Sequence, residues 1–200
     1  MPLFEYDKAV RNDYPVICGV DEAGRGPLAG DVYAAAVILE NDVYIEGLND
    51  SKKLSEKKRE LLYDEIISKA KAYCVATASV EEIEKYNILQ ATFMAMRRAV
   101  EGLGVVPDMA LIDGNREPGL DCTTQTVVKG DGLSASIAAA SILAKVSRDR
   151  YMADIAEKYP EYCFEKHKGY GTKLHNELIL EHGPSPVHRM SFLKKLLKNG

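Results

Sequence analysis

Five short apolar runs punctuate the chain. Residues 16–20 form the first, and an acidic pair follows it directly. Residues 32–39 form the second, 72–78 the third, 109–112 the fourth and 123–128 the fifth, which is dense in Thr and Val. Each reads as a strand. The Gly-Pro-containing stretch between the first two reads as a hairpin loop, so those strands are expected to pair antiparallel. Helical spacing fills the intervals. Residues 55–70 carry Leu62 and Ile66 on one face. Ser79 followed by Glu82 has capping-box spacing. Leu89, Phe93, Met96 and Val100 then recur as a core stripe that ends at Gly102 and Gly104. Residues 134–159 are the longest helical pattern. Their first half is rich in Ala, Ser and Ile, small enough to lie tightly on a sheet. Their second half turns charged and is expected to project to the surface. Two shorter helical patterns, 173–182 and 189–198, flank Gly183-Pro184-Ser185-Pro186. This order predicts α/β layers around a mixed sheet.

Composition adds bounds. The 200 residues suit one domain with room for a small terminal appendage, and 46% apolar residues suit a full-sized core. No long apolar run and no leader-like opening is present, so neither a transmembrane helix nor a signal peptide is expected, and the location is expected to be cytoplasmic. Cys18, Cys74, Cys122 and Cys163 lie far apart without CxxC spacing. They read as buried reduced thiols rather than a disulfide framework or zinc site. The net charge of −4 speaks at first against nucleic acid. Charge is segregated, however. Lys52, Lys53, Lys57, Lys58 and Arg59 form one basic group; Lys166, Lys168, Lys173, Arg189, Lys194, Lys195 and Lys198 form another. The bland alternative is a solvated helix face, the better reading for Lys57, Lys58 and Arg59. His167, His175, His182 and His188 fall in the last quarter and are expected in surface or capping roles.

Four acids carry the candidate chemistry. Asp21 and Glu22 end the first strand, Asp113 ends the fourth, and Asp131 follows the fifth, just before the longest helix. Strand ends on one side of an α/β sheet converge, so these groups can share a site. Two carboxylates ~4 Å apart repel by about 4 kcal/mol at an effective dielectric of 20. Gathering four therefore calls for a cation. All the ligands would be oxygens, which points to Mg²⁺ or Mn²⁺ rather than zinc. The matching chemistry is in-line displacement at phosphorus, with two ions stabilising the attacking and leaving oxygens. Taken singly, each acid reads better as a helix or turn cap; that reading weakens when four fall at strand-to-loop junctions, each next to glycine or another acid. Beside the first pair stands Gly24-Arg25-Gly26-Pro27. Glycines let backbone approach a ligand, successive amides can bind a hydroxyl or phosphate oxygen, and arginine can add a phosphate contact. The loop is neither a Rossmann fingerprint nor a P-loop, and alone it reads as a hairpin turn.

Seven stretches together resemble one family. They are Val20-Asp21-Glu22-Ala23-Gly24-Arg25-Gly26-Pro27-Leu28-Ala29-Gly30, Leu48-Asn49-Asp50-Ser51-Lys52-Lys53-Leu54-Ser55, Asn87-Ile88-Leu89-Gln90-Ala91-Thr92, Leu111-Ile112-Asp113-Gly114-Asn115, Ser136-Ile137-Ala138-Ala139-Ala140-Ser141-Ile142, Lys168-Gly169-Tyr170-Gly171-Thr172 and Gly183-Pro184-Ser185-Pro186-Val187-His188-Arg189. Their residues and order resemble ribonuclease HII, the bacterial type 2 ribonuclease H. The Gly-Arg-Gly form separates this type from the type 3 relative. The resemblance implies a ribonuclease H-like fold, a mixed five-stranded sheet flanked by helices. Residues 1–160 would be the catalytic part, and 161–200 a small helical part of the same domain that binds substrate. It implies an endonuclease that hydrolyses the RNA strand of RNA–DNA hybrids and cuts 5′ of ribonucleotides embedded in duplex DNA, leaving 5′-phosphate and 3′-hydroxyl ends.

The resemblance also implies roles. Asp21, Glu22, Asp113 and Asp131 would be the catalytic, metal-binding acids, with Asp21 and Asp131 on one divalent ion and Asp21, Glu22 and Asp113 on the other. Gly24, Arg25 and Gly26 would read the 2′-hydroxyl, the group that distinguishes RNA from DNA. Tyr170 would pack on the neighbouring sugar, favouring deoxyribose on the 3′ side. Lys52 and Lys53 would contact phosphate. Three positions depart from the family pattern: Leu133 where a basic residue is usual, Asp31 for proline, and Met190 for a second arginine. They bear on substrate affinity more than on the reaction. A binding-only protein and a different phosphoryl-transfer enzyme of the same fold are the rival readings. The intact acids argue against the first, and the glycine loop and Tyr170 against the second. No Gln-and-aromatic clamp-binding peptide stands at the C-terminus, so no sliding-clamp partner is expected, and a monomer is.

Overall fold

The computed structural model describes residues 2–198. The predicted strands form β1 (Ile17–Ala23), β2 (Val32–Ile38), β3 (Ala72–Ala78), β4 (Met109–Asp113) and β5 (Thr123–Val127), in the order β3-β2-β1-β4-β5. As expected, β1 and β2 pair antiparallel, and β3 continues the meander. The strands β4 and β5 run parallel to β1. The step from β3 to β4 crosses the sheet through helix α3 (Val80–Glu101), as a parallel return requires.

Period-two alternation in β2 builds two core layers. Ala34 and Ala36 pack with Ile83, Ala95 and Met96 of α3 on one face. Ala35 and Val37 pack on the other face with helix α4 (Ala135–Lys158), together with Leu62 and Ile66 of helix α2 (Glu56–Lys69). The alanines keep both helices close. Gly19 of β1 is the tightest point: a Cβ there would lie 2.1 Å from the Ser136 carbonyl carbon and 2.2 Å from the Ile137 nitrogen. The first turn of α4 thus rests on strand backbone, which explains its Ala- and Ser-rich sequence.

Several elements differ from expectation. Helix α1 (Pro2–Arg11) was not signalled by a long periodic stripe. It is pinned by a buried carboxylate: Asp7 Oδ2 accepts from the Ser136 N–H at 2.8 Å and the Ser136 hydroxyl at 2.7 Å. Within α3, Asn87 takes a positive φ of 67°, and its Oδ1 accepts from the Leu89 and Gln90 amides, restarting the helix after a kink. The charged second half of α4 does not simply project into solvent. Arg148, Asp149, Met152 and Ile155 are buried there. Met152 and Ile155 pack with Ala29, Tyr162 and Phe164. They lie beneath a C-terminal segment that holds α5 (Phe164–His167), α6 (Lys173–His182) and α7 (Met190–Lys198). The cysteines are free, but only Cys18 is buried; Cys74 and Cys122 are half-buried against the α3-side core, and Cys163 is half-buried elsewhere. No helix among the described residues is long and apolar enough to cross a membrane.

Gly19→Ala is expected to destabilise the fold by about 3 kcal/mol, the upper range for overpacking, because the new methyl meets backbone. Urea denaturation measures this; an unchanged midpoint would mean that α4 can shift freely on the sheet.

Candidate active site

Strand β1 does not stop before its acids but runs through Asp21 and Glu22 to Ala23. Side chains alternate across a strand, so the two neighbours point to opposite faces. Asp21 shares the α4 face with Gly19. Glu22 turns to the α3 side, where Leu89, Phe93 and Met96 line a small cleft with it and with Arg25. The β1–β4 register pairs Val20 with Ile112, so Asp21 comes level with Asp113 at the next step. Asp131 sits in the 3-10 turn Gly130–Gly132 that leads into α4. Asp113 Oδ1 accepts from the Gly130 N–H at 2.7 Å, tying the end of β4 to that turn. The outcome is that Asp21, Asp113 and Asp131 each offer an oxygen within 4.8 Å of the others.

The electrostatics are those of a cation site. Burial pushes the Asp21 carboxyl well above the usual carboxylate range, and the charges of Glu22 and Asp113 push it further. The Ser141 hydroxyl and the Glu22 N–H, 2.7 Å from Asp21 Oδ1, act in the opposite sense. Burial likewise raises Asp131, with Asp113 adding to it and Lys52 opposing. Burial raises Glu22, opposed mainly by Arg25, whose Nη1 lies 3.2 Å from Glu22 Oε1. The Lys52 ammonium stands 3.4 Å from Asp131 Oδ2. One exposed lysine does not neutralise two buried carboxylates and a half-buried third, and every donor is a hard oxygen. The set therefore fits a divalent cation of the Mg²⁺ or Mn²⁺ kind. A larger cleft of about 450 Å³ opens at the start of β4, where Val105, Pro107 and Leu120 line it; it lies away from the acids, at the other end of that strand.

The glycine loop is held from beneath. Gly24 has φ +97°, and a Cβ there would lie 2.1 Å from Arg148 Nε. Arg148 donates to the carbonyls of Ala29, Asp31 and Lys168 at 3.1–3.2 Å. Arg189 donates to the carbonyls of Gly24, Arg25, Pro27 and Gly30 at 2.7–3.1 Å. Both guanidinium groups are buried. Backbone pairing then brings the C-terminal segment onto the loop: Leu28 N–H to Gly169 O, Gly30 N–H to Val187 O and Arg189 N–H to Leu28 O, each 2.8 Å. Tyr170 arrives beside Gly26, where a Cβ would lie 3.9 Å from its ring, and 43% of the tyrosine stays exposed.

Lys52 and Lys53 lie on the 3-10 turn Ser51–Lys53. Lys52 reaches the acids; Lys53 is 3.8 Å from Asp50 and otherwise faces solvent. The Ser51 hydroxyl meets that of Ser141 at 2.8 Å, linking this turn to the helix beside Asp21. Lys57 and Lys58 are exposed as expected. Arg59 is not merely a solvated charge: it donates to the carbonyls of Ser51 and Leu54 and lies 3.7 Å from Asp149. Arg148 and Ser141 were missed by sequence reasoning, though an arginine in line with buried apolar positions of a helix was a usable signal. The histidines depart from expectation too, since His167, His175 and His188 are buried among aromatic rings. Asp31 accepts from the Val80 N–H at 3.0 Å, at the start of α3, which gives the departure from proline a local use. Leu133 and Met190 are exposed, and nothing in the structure explains either substitution.

Fold and site define the class first. The crystal structure of the ribonuclease H2 from Pyrococcus horikoshii OT3 matches with a TM-score of 0.76 at 27% identity, covering 92% of this chain and 98% of that one. Bst-RNase HIII in complex with Mn²⁺ shares the fold, with a TM-score of 0.75 at 16% identity over 92% of this chain and 70% of that one. The architecture is a ribonuclease H-like fold with an acidic site at the C-terminal ends of the inner strands β1 and β4. At the level of sequence, the ribonuclease HII family model matches residues 18–195. The ribonuclease HII of Caldicellulosiruptor bescii is 54% identical over 97% of this chain and 95% of its own length. The chain belongs to the ribonuclease HII family and is a ribonuclease H, an endonuclease acting on RNA–DNA hybrids.

Because Asp21 is held above its ordinary pKa, its ionisation opposes folding at neutral pH, and that penalty fades as pH falls into the carboxylate range. Asp21→Asn is therefore expected to raise the metal-free melting temperature by a few degrees, roughly 1 kcal/mol, at neutral pH and by less near pH 4. Adding Mn²⁺ should raise the wild-type melting temperature and scarcely move the variant. Calorimetry in EDTA and in Mn²⁺ checks both; a wild type that Mn²⁺ leaves unmoved would count against a cation at these acids.

Proposed function

We propose that this chain cuts the RNA strand of RNA–DNA hybrids, and duplex DNA on the 5′ side of embedded ribonucleotides, by two-metal-ion hydrolysis that leaves 5′-phosphate and 3′-hydroxyl ends. The observation that carries the proposal is the approach of Asp21, Asp113 and Asp131 to within 4.8 Å, next to a rigid glycine loop. The proposed ligands are Asp21, Glu22, Asp113 and Asp131, holding two Mg²⁺ or Mn²⁺ ions. Such ions, when bound, stabilise charge on the attacking and leaving oxygens of the phosphodiester. The Mn²⁺ complex of Bst-RNase HIII, on the same fold, is in keeping with this.

The other roles follow from the protein's own groups. Arg189 engages the loop carbonyls of Gly24, Arg25 and Pro27 from the buried side. Gly24, Arg25 and Gly26 then offer a preorganised backbone to the 2′-hydroxyl, with no side chain on either glycine to obstruct it. Tyr170, half exposed beside Gly26, presents a flat apolar face to the adjoining sugar and disfavours an added hydroxyl there. Lys52 and Lys53 can contact the scissile and neighbouring phosphates, Lys52 by leaving its place near Asp131. Residues 1–160 then supply the chemistry and 161–200 help hold the duplex. A cytoplasmic monomer is the proposed working form.

Asp131→Asn or Asp21→Asn is expected to lower kcat by about a thousandfold or more, a loss of ~4 kcal/mol of transition-state stabilisation, while a gel-shift assay still shows hybrid binding. Near-full activity in either variant would remove the two-metal assignment. Tyr170→Ala is expected to reduce cutting at single-ribonucleotide junctions about tenfold more than cutting of a continuous RNA strand. An equal loss on both substrates would make its role structural.

A further inference from the structure

His167, His175 and His188 are buried together behind Tyr170, and the proposed reaction uses none of them. Their partners fix their protons. The Ser185 backbone N–H can only donate, and it meets His188 Nδ1 at 2.9 Å, with the Ser185 hydroxyl at 2.8 Å. His188 Nδ1 is thus an acceptor, and a neutral His188 carries its proton on Nε2. That proton faces His175 Nε2 at 3.0 Å. His175 Nε2 must accept, so its own proton sits on Nδ1, where it donates to the Tyr170 carbonyl at 2.9 Å. The donors run one way, from Ser185 through His188 and His175 to Tyr170. His167 stacks on His175 with ring centroids 4.2 Å apart. It accepts from the Gly169 N–H at Nδ1 and donates from Nε2 to the Tyr162 carbonyl.

We infer that His175 and His188 are positioning residues for junction recognition: as a neutral pair, each in a single tautomer, they hold the Tyr170 carbonyl and so set the tyrosine against the glycine loop. The inference rests on the reading of Tyr170 given above. The neighbouring Gly169 carbonyl accepts from Leu28 of that loop, so a shift of this backbone is felt on both sides of the recognition surface. A proton added to His175 would set two N–H groups against each other at the His175–His188 contact. A proton added to His188 would do the same at Ser185. The groups facing the pair are His167 and Phe164 of α5, Tyr162 of the preceding turn and the Tyr170 backbone, none of them acidic. Burial accordingly pushes both imidazoles down to about 4.

Two measurements test this. Long-range nitrogen–proton correlation spectra of the full chain are expected to show His175 in the Nδ1–H form and His188 in the Nε2–H form, neither titrating between about pH 5.5 and pH 8. An Nε2–H His175, or one that titrates near the ordinary histidine value, overturns the inference. The second readout is the ratio of kcat/KM on a single-ribonucleotide duplex to that on a continuous hybrid, which cancels effects on the shared acids. His175→Leu is expected to lower this ratio about tenfold, as Tyr170→Ala does. His175→Asn, whose amide can donate in place of Nδ1–H, should stay within about twofold of the wild type and serves if the leucine variant does not fold. A ratio lowered by Tyr170→Ala but not by His175→Leu overturns the histidine inference alone. A ratio unmoved by Tyr170→Ala overturns the reading of the tyrosine and this inference with it.

Discussion

The glycine loop and the segment against it, the proposed recognition surface, depend on two buried guanidinium groups that pair with backbone rather than with acids. Arg148 and Arg189 between them engage the carbonyls of Gly24, Arg25, Pro27, Ala29, Gly30, Asp31 and Lys168. A buried charge without partners is strongly unfavourable, and a loop carbonyl without a donor is costly as well. Each requirement answers the other. The arrangement works only if the glycine loop takes one course, because the guanidinium fork is planar and its donors are fixed. It also explains why Gly24 must lack a side chain: its Cα lies over Arg148. A loop that would otherwise be a mobile hairpin turn becomes a rigid platform joining the first strand to the C-terminal segment.

Against that platform, the acid cluster is the part of the molecule that opposes its own fold. Asp21 and Asp131 are buried and held above their ordinary ionisation, and Asp113 stands with them. A bound cation would relieve this, and a fixed backbone lets the strain persist without one. Strand pairing fixes Asp21 beside Asp113, and the Gly130 amide fixes the turn that carries Asp131. The buried histidine pair does for the C-terminal segment what the arginines do for the loop. It replaces flexible contacts with partners whose donor and acceptor roles admit one solution.

Much of this was legible in the sequence, and the boundary is physical. Strands and helices declared themselves by period, and α4 announced its close packing through alanine and serine. The convergence of Asp21, Asp113 and Asp131 followed from their places near strand ends. The chain's resemblance to ribonuclease HII supplied what periodicity could not, namely that Gly24, Arg25, Gly26 and Tyr170 belong together. Sequence reasoning failed where burial of charge is decided by backbone. Helical spacing could place Arg148 among buried positions, but it could not say that its guanidinium would find carbonyls, that Arg59 would brace the Lys52 turn, or that three histidines would be buried together. The arginine pairing depends on hydrogen bonds between segments more than a hundred residues apart, such as Arg148 to Ala29 and Arg189 to Gly30. The bonds of Arg59 to Ser51 and Leu54 and those among the histidines are short in sequence but depend on irregular turns that carry no periodic signal. Helix α1 was missed for a similar reason, since its anchor is the distant contact of Asp7 with Ser136.

The most direct test of the account is cleavage of an end-labelled DNA duplex that contains one ribonucleotide, in Mg²⁺, in Mn²⁺ and in EDTA, beside the same duplex made wholly of DNA. The account predicts a metal-dependent cut on the 5′ side of the ribonucleotide and no cut in the all-DNA duplex. A protein that binds the duplex but leaves it intact with either metal, or that cuts both duplexes alike, would contradict it.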